Sequence, residues 1–274
     1  KVLFDCDGVR SFNKNGLNDW TGRPVRVLAD PYRFNFDLEG RIQRIDGFPI
    51  PHSWDWLQRT MANDWLYYDK VWAHGYLPQP SAIIGDSVWA VNGRTDLPLL
   101  HGHDGLQRDY VSRAFDAFDA LISDIREWLC QKPPVYDESG REPASPQAAQ
   151  RLWDFFEKAA RNDGVELQKA ADSLHGIHGG MAVLPPDTIQ ADYRVILVKI
   201  MDGCSNACGF CLARGESAFG LRSQSEIDRQ IDGLAEIYGS DLYNYNSVVL
   251  GECDALVSPL LDYAANRTYD AFRC

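Results

Sequence analysis

No uninterrupted apolar run in the 274 residues approaches the roughly 18 needed for a membrane-spanning helix, so proteins built on such helices are excluded and no membrane partner is expected. The N-terminus has no basic segment followed by an apolar stretch, so no secretory signal is visible. Positive charge is scarce: 27 Lys and Arg face 39 Asp and Glu, a formal net charge of −12. A surface that grips phosphate backbones normally carries a basic patch, and nucleic acid is therefore not an expected partner. Cysteine is too sparse and too clustered for a disulfide framework, because three of the seven fall within eight residues. That distribution fits metal binding in a reducing compartment, read here as the cytoplasm. Tryptophan is missing after Trp153, all eight residues lying at or before it. The asymmetry points to an N-terminal domain distinct from the C-terminal part of the chain.

What is present suffices for a substantial core, with 45% hydrophobic and 12% aromatic residues. Over 25–50, short apolar runs alternate with the turn signals Glu39-Gly40 and Asp46-Gly47, which predicts a small β-meander with Phe34, Phe36 and Leu38 on one face. Trp54, Leu57, Met61, Trp65 and Trp72 predict the packed face of a helix over 53–72. A second helix is expected over 107–130, where Tyr110, Ala114, Phe118, Leu121, Ile125 and Trp128 recur at spacings of three and four, with Cys130 as a buried or incidental thiol. His101-Gly102-His103-Asp104 before it reads as a loop rather than a metal site. The proline-rich segment 131–146 predicts a linker, and Ser145-Pro146 predicts a capped helix start. Another helical segment is expected to about Leu174, followed by a glycine-rich connector over 175–180. The resulting division is an α+β N-terminal domain over 1–132, a linker and helical connector over 133–190, and a third region over 191–274.

In that third region the pattern becomes strand, loop, helix, strand. The run from Val195 to Met201 is apolar apart from Lys199, as in a parallel strand covered on both faces. It feeds Gly203-Cys204-Ser205-Asn206-Ala207-Cys208-Gly209-Phe210-Cys211, a C-x3-C-x2-C spacing. Ser223-Gln224-Ser225-Glu226 forms a capping box for a helix with Ile227, Ile231, Leu234 and Tyr238 inward and Gly239 at its end. Ser247-Val248-Val249-Leu250 is the second strand, ending in Gly251-Glu252-Cys253-Asp254. Open α/β folds place their chemistry at such strand ends.

Three thiolates leave one iron of a [4Fe–4S] cube without a protein ligand, and an open coordination position marks a reactive site rather than a structural one. Three other readings compete. Positions i, i+4 and i+7 also share a helix face, although Gly203, Ser205, Asn206 and Gly209 are poor helix formers. Zinc would use Cys208 and Cys211 as a half-site, yet no second ligand pair is present further along. An electron-transfer cluster would need a distant fourth cysteine such as Cys253 or Cys274.

The cysteine motif with its aromatic Phe210 resembles the signature of the radical S-adenosylmethionine (SAM) enzymes, C-x3-C-x-(aromatic)-C. The resemblance covers about 194–274 and is loosely similar to the oxygen-independent coproporphyrinogen oxidase and tRNA-modifying branch. It implies that Cys204, Cys208 and Cys211 ligate a [4Fe–4S] cluster and that SAM chelates the open iron. Phe210 would lie beside the adenine, and Gly251, Glu252 and Asp254 would hold SAM. Reductive cleavage of SAM to a 5′-deoxyadenosyl radical, for hydrogen abstraction from an unidentified substrate, would draw its electron from an external donor of the flavodoxin or ferredoxin kind. The implied fold is α/β, the start of a (β/α)6-type partial barrel behind a separate α+β domain. At roughly 30 residues per βα unit, six units need about 180 residues, more than twice what 194–274 supplies. The barrel is thus expected to be truncated in this chain and unable to turn over alone. A second resemblance is weaker. Asp5-Cys6-Asp7-Gly8 resembles the first motif of the haloacid dehalogenase phosphatases, and Ile83-Ile84-Gly85-Asp86 their late one, but no second Asp stands closely after Asp86. An edge strand and a polar turn are expected there instead.

Overall fold

Alternation over 25–46 does build a meander, and the pleat sorts its residues. In the computed structural model, β1 (Val2–Leu3), β2 (Val25–Ala29), β3 (Tyr32–Phe36), β4 (Ile42–Asp46), β5 (Ser53–Arg59), β6 (Asp64–Val71) and β7 (Gln79–Pro80) follow one another in an antiparallel sheet. An eighth strand, β8 (Val88–Val91), pairs with β6. The structure describes residues 1–5, 24–47, 53–59, 61, 64–71, 79–80, 88–91, 104–137, 139–179, 195–206, 208, 218–245, 247–251 and 254–273. Three helices come next: α1 (Asp104–Gln131), α2 (Pro146–Arg161) and α3 (Gly164–His178). The chain divides into two compact units, one including 23–167 and the other including 168–274. Helix and strand are thus both well represented, the first unit being α+β and the second α/β.

The first unit's core joins Val25, Val27, Phe34, Phe36, Ile42 and Ile45 from the sheet to Ala114, Phe118, Leu121, Ile122 and Ile125 from α1. Phe155, Phe156 and Ala159 of α2, a part expected as connector, lie in the same core. Phe36 meets Phe155 edge to face at 5.5 Å and Phe118 at 6.4 Å. Each buried phenyl ring contributes about 1.5–3 kcal/mol, which makes this aromatic contact the organising feature of the unit. Ser145 caps α2 as expected, its Oγ accepting from the Ala148 N–H at 3.2 Å, with Pro146 in the first turn. The proline-rich segment folds back on itself through a Tyr136–Pro143 bridge, with the Asp137 N–H bonded to the Glu142 carbonyl.

The turn between β3 and β4 docks on α2. Asp37, fully buried, accepts from the Arg41 N–H at 2.7 Å and from Arg41 Nε at 2.6 Å. Lys158 Nζ donates to the Leu38 carbonyl and Asn162 Nδ2 to that of Glu39. Gly40 has φ +74°, and a Cβ there would come within 2.6 Å of the Ala159 nitrogen. Left-handed strain and a backbone clash act together, so Gly40→Ala is expected to destabilise this unit by about 3 kcal/mol. Urea unfolding followed by tryptophan fluorescence reads it directly, since every tryptophan precedes residue 154.

Two expectations need correction. The helix expected over 53–72 is a hairpin, β5 pairing β6 from Ser53↔Val71 to Arg59↔Trp65. Helical spacing of five large residues was outweighed by a composition of tryptophan, tyrosine and valine that favours strands, and β4 pairs with β5 along the sheet. The connector expected from His175 is the last turn of α3, which runs to His178. Cys130 is exposed at the end of α1, which leaves the incidental of its two readings. Asp104 begins α1, while His101 to His103 lie outside the described residues. As expected, β1 is an antiparallel edge pairing with β2 alone among the described strands, and Asp5 after it forms a half-exposed ion pair with Arg151 at 2.7 Å. Asp7 lies outside the described residues.

In the second unit, β9 (Val195–Val198) is followed by β10 (Met201–Asp202), β11 (Gly220–Leu221), α4 (Gln224–Tyr238), a 3₁₀ turn over Gly239–Asn244 and β12 (Ser247–Leu250). A further 3₁₀ turn, Ala255–Val257, leads to α5 (Leu261–Phe272). No helix among the described residues is long and apolar enough to cross a membrane.

Candidate functional site

A hydrophobic strand, an amphipathic helix and a second hydrophobic strand make a βαβ unit when the strands pair in parallel. They do so here: β12 runs beside β9 with Ser247 opposite Val195 and Leu250 opposite Val198. α4 supplies the crossover and buries Ile227, Gln230, Ile231, Leu234 and Tyr238. Its start is closed as expected, Glu226 Oε2 accepting from the Ser223 N–H at 2.7 Å and from the Ser223 hydroxyl at 2.6 Å. Those hydrogen bonds from Ser223 hold the Glu226 carboxyl below its ordinary range. In-phase register brings both strands to an end at the same level. The segments leaving the two strands therefore start from one edge.

After β12 stands Gly251, whose N–H continues the ladder to the Val198 carbonyl at 2.8 Å. Its φ is +88°, and an added Cβ would lie 2.9 Å from Ala255 Cβ. Only glycine lets the chain leave the strand this way and fold the Ala255 turn back beneath it. Asp254, half-buried, caps that turn. After β9 the chain enters a hairpin, β10 pairing antiparallel with β11 as Met201↔Leu221 and Asp202↔Gly220. The segment 203–219, with all three motif cysteines, is thereby pinched at its base. Cys204 is half-buried and Cys208 exposed, both as free thiols, and Cys204 Sγ accepts from the Asn206 N–H at 3.4 Å. Asn206 Nδ2 also reaches Asp254 Oδ2 at 3.4 Å, a long hydrogen bond that spans the two strand ends.

The neck of the pinched loop is built from charge. Lys199, 1% exposed, lies between β9 and β10, and Gln230 of α4 holds its main chain on both sides. Gln230 Oε1 accepts from the Lys199 N–H at 2.8 Å, and Gln230 Nε2 donates to the Lys199 carbonyl at 2.7 Å. One side-chain amide thus takes the part of a neighbouring strand's peptide. Lys199 Nζ meets Asp202 Oδ1 at 2.8 Å. Arg222, on the returning side of the loop, grips the same carboxylate at 2.7 Å and 3.1 Å. Its guanidinium also donates to the His178 carbonyl, and its N–H to that of Ile200. Burial pushes the Asp202 carboxyl up, but the bonds from Arg222 and Lys199 outweigh it and hold it below the usual range. His178 is fully buried, and neither ring nitrogen has a partner among the described residues. Burial, then the positive charges of Lys199 and Arg222, lower its pKa from 6.5 to about 3.

Of the residues expected at the site, the structure places Cys204, Cys208, Gly251 and Asp254; Cys211, Phe210 and Glu252 lie outside the described residues. Gly251 and Asp254 follow β12, Cys204 and Cys208 lie in the loop entered after β9 and β10, and the Asn206–Asp254 bond joins the two segments. Among the described residues no three His, Cys, Asp or Glu side chains converge on a metal position. The two thiols that are described suit a cluster in chemistry and access, being uncombined and open to solvent. Two cavities accompany the unit. One of about 330 Å³ is lined by Ile196, Val248, Leu250, Tyr269 and Phe272, and one of about 390 Å³ by Asp202, Arg222, Glu226 and Arg229 among others. Neither is lined by a cysteine among the described residues.

Sequence reasoning missed Lys199, Asp202, Arg222, Gln230 and His178. Lys199 did signal itself as the one charge in an apolar run, and Asp202 stands three residues on. Arg222 carried no signal, because its partner lies across a loop closure. Comparison of the chain with protein-family models, curated proteins and solved structures finds no match.

Proposed function

We propose that the second unit is the opening βαβ of a radical SAM (β/α)6-type partial barrel and that the protein is a radical SAM enzyme. Cys204, Cys208 and Cys211 would hold a [4Fe–4S] cluster. Gly251, Glu252, Asp254 and Phe210 would hold SAM. The observation that carries this reading is the parallel register of β9 and β12. It sets a three-cysteine loop and a glycine–acid turn side by side at the ends of adjacent strands, with Asn206 and Asp254 in contact between them. When bound, such a cluster supplies the electron that cleaves SAM and starts hydrogen abstraction from a substrate.

The chain's own contributions are positional. Gly251, with φ +88°, lets the main chain leave the strand end with Ala255 packed against its α-carbon. Asp254 supplies a carboxylate, suited to an ammonium group. The β10–β11 pairing and the Arg222–Asp202 ion pair fix both ends of the cysteine loop. An external one-electron donor and an unidentified organic substrate are the partners this chemistry requires, in a reducing compartment such as the cytoplasm.

The test is anaerobic reconstitution with iron and sulfide, followed by electron paramagnetic resonance of the reduced protein with and without SAM. A [4Fe–4S]⁺ signal that shifts on adding SAM is the expected result. A cluster indifferent to SAM would show a closed electron carrier, and zinc in place of iron would show a structural site. Either would end the proposal.

A further inference from the structure

Asp254 stands at the cap position of the Ala255–Val257 turn, where an aspartate ordinarily accepts from the N–H groups of its own turn, yet its side chain makes no such bond. Its carboxylate is engaged 48 residues away along the chain, in the cysteine loop. Asn206 Nδ2, 3.4 Å from Oδ2, is its one hydrogen-bond partner among the described residues, and Oδ1 has none there. Asn206 makes a second bond, its main-chain N–H donating to Cys204 Sγ at 3.4 Å. One asparagine thus joins the first motif thiol to the carboxylate that follows β12. A long hydrogen bond in contact with water contributes little to folding, so stability does not account for a carboxylate that forgoes its own cap. The chemical type of the donor is informative. An amide orients a carboxylate and leaves its negative charge in place, whereas lysine or arginine at the same point would neutralise it.

We infer that Asn206 is a positioning residue, holding Asp254 by one oxygen and leaving the other for the ammonium of an α-amino acid moiety such as SAM carries. The inference rests on the radical SAM reading, in which Asp254 contacts SAM. Among the described residues no cation pairs with Asp254, so an ammonium arriving there meets an uncompensated carboxylate. Such a charge-assisted contact is the strong kind. A ligand seated against Asp254 also removes water from the Asn206 bond and strengthens it. Ligand binding and the placement of the loop that carries Cys204 therefore reinforce one another, and the coupling is reciprocal.

The deciding experiment is a double-mutant cycle on the reconstituted full chain, with Asn206→Ala, Asp254→Ala and the two combined. Iron content is measured in each protein, and the dissociation constant for SAM is read from the SAM-induced shift of the paramagnetic resonance signal. Iron is expected to be unchanged throughout. Asn206→Ala is expected to weaken SAM about tenfold and Asp254→Ala by at least as much. The double variant should bind SAM as Asp254→Ala does, because Asn206 acts through that carboxylate. A merely structural role in the loop predicts losses that multiply, since it would not need Asp254. Asn206→Ser, too short to reach Asp254, serves if Asn206→Ala does not fold. Wild-type SAM affinity in Asn206→Ala, multiplying losses in the double variant, or iron lost from Asn206→Ala would overturn the positioning role while leaving the cluster reading intact. A wild-type cluster indifferent to SAM would overturn the reading itself and the role with it.

Discussion

Serine in place of Cys204, Cys208 or Cys211 is expected to reduce bound iron from about four atoms per chain to near zero after anaerobic reconstitution, and to abolish the SAM-induced shift of the paramagnetic resonance signal. Serine at Cys253 or Cys274 is expected to change neither. A hydroxyl is not ionised at neutral pH, and the two thiolates that remain cannot retain a four-iron cube. The contrast between the two sets is decisive, because an electron-transfer cluster closed by a distant cysteine would lose iron in four variants rather than three. Cys130, exposed at the end of α1 in the other unit, is the internal control for nonspecific thiol loading. Iron and sulfide analysis gives the stoichiometry, and electron paramagnetic resonance with and without SAM the shift. Iron retained at full stoichiometry in Cys204→Ser or Cys208→Ser would remove the loop from the cluster.

The parts of the fold that are legible in the sequence have local causes. Ser145-Pro146 starts α2, Ser223 and Glu226 start α4, and the apolar runs before the cysteines and at Val248 become paired strands. Each depends on residues within one turn or one strand. The hairpin of β5 and β6 is illegible because its aromatic residues satisfy both a helical and an alternating pattern, and pairing with β4 decides between them. At the site, the cysteines and the glycine–acid turn are legible as motifs. The charged neck is not, for Asp202 and Arg222 stand 20 residues apart along the chain and Lys199 and Gln230 stand 31 apart. Gln230 lies between Ile227 and Ile231 on the inward face of α4, yet a polar residue there reads as an interruption until its main-chain partner is known. His178 misleads for a related reason. It continues the buried stripe of Leu167, Ala171 and Leu174 on α3, but adjacent glycines make the segment look like a loop.

That histidine makes acid a specific weakness of the second unit. His178 is neutral when folded, with a pKa of about 3, whereas the unfolded chain takes up its proton near 6.5. Between these values the unfolded state binds one more proton, so stability is complete above pH 6.5 and is lost as pH falls toward 3. The slope is about 1.4 kcal/mol per pH unit, enough to remove much of a marginal unit's stability by about pH 4. His178→Leu is expected to abolish this slope. At neutral pH it should also match or exceed the wild type, because two unpartnered ring nitrogens leave the interior. Tryptophan fluorescence is blind to the effect, since residues 154–274 contain none. Amide hydrogen exchange of α4 at neutral pH and at about pH 4.5, inside the window where the unfolded chain alone is protonated, reads it instead. Protection should fall with acid in the wild type, beyond the intrinsic pH dependence of exchange, and hold in the variant. Equal pH dependence in both proteins would place the acid lability elsewhere. The same ring explains why the neck can hold Lys199 and Arg222 so close together. A charged imidazole behind the His178 carbonyl would repel both cations, and its burial keeps it neutral at physiological pH.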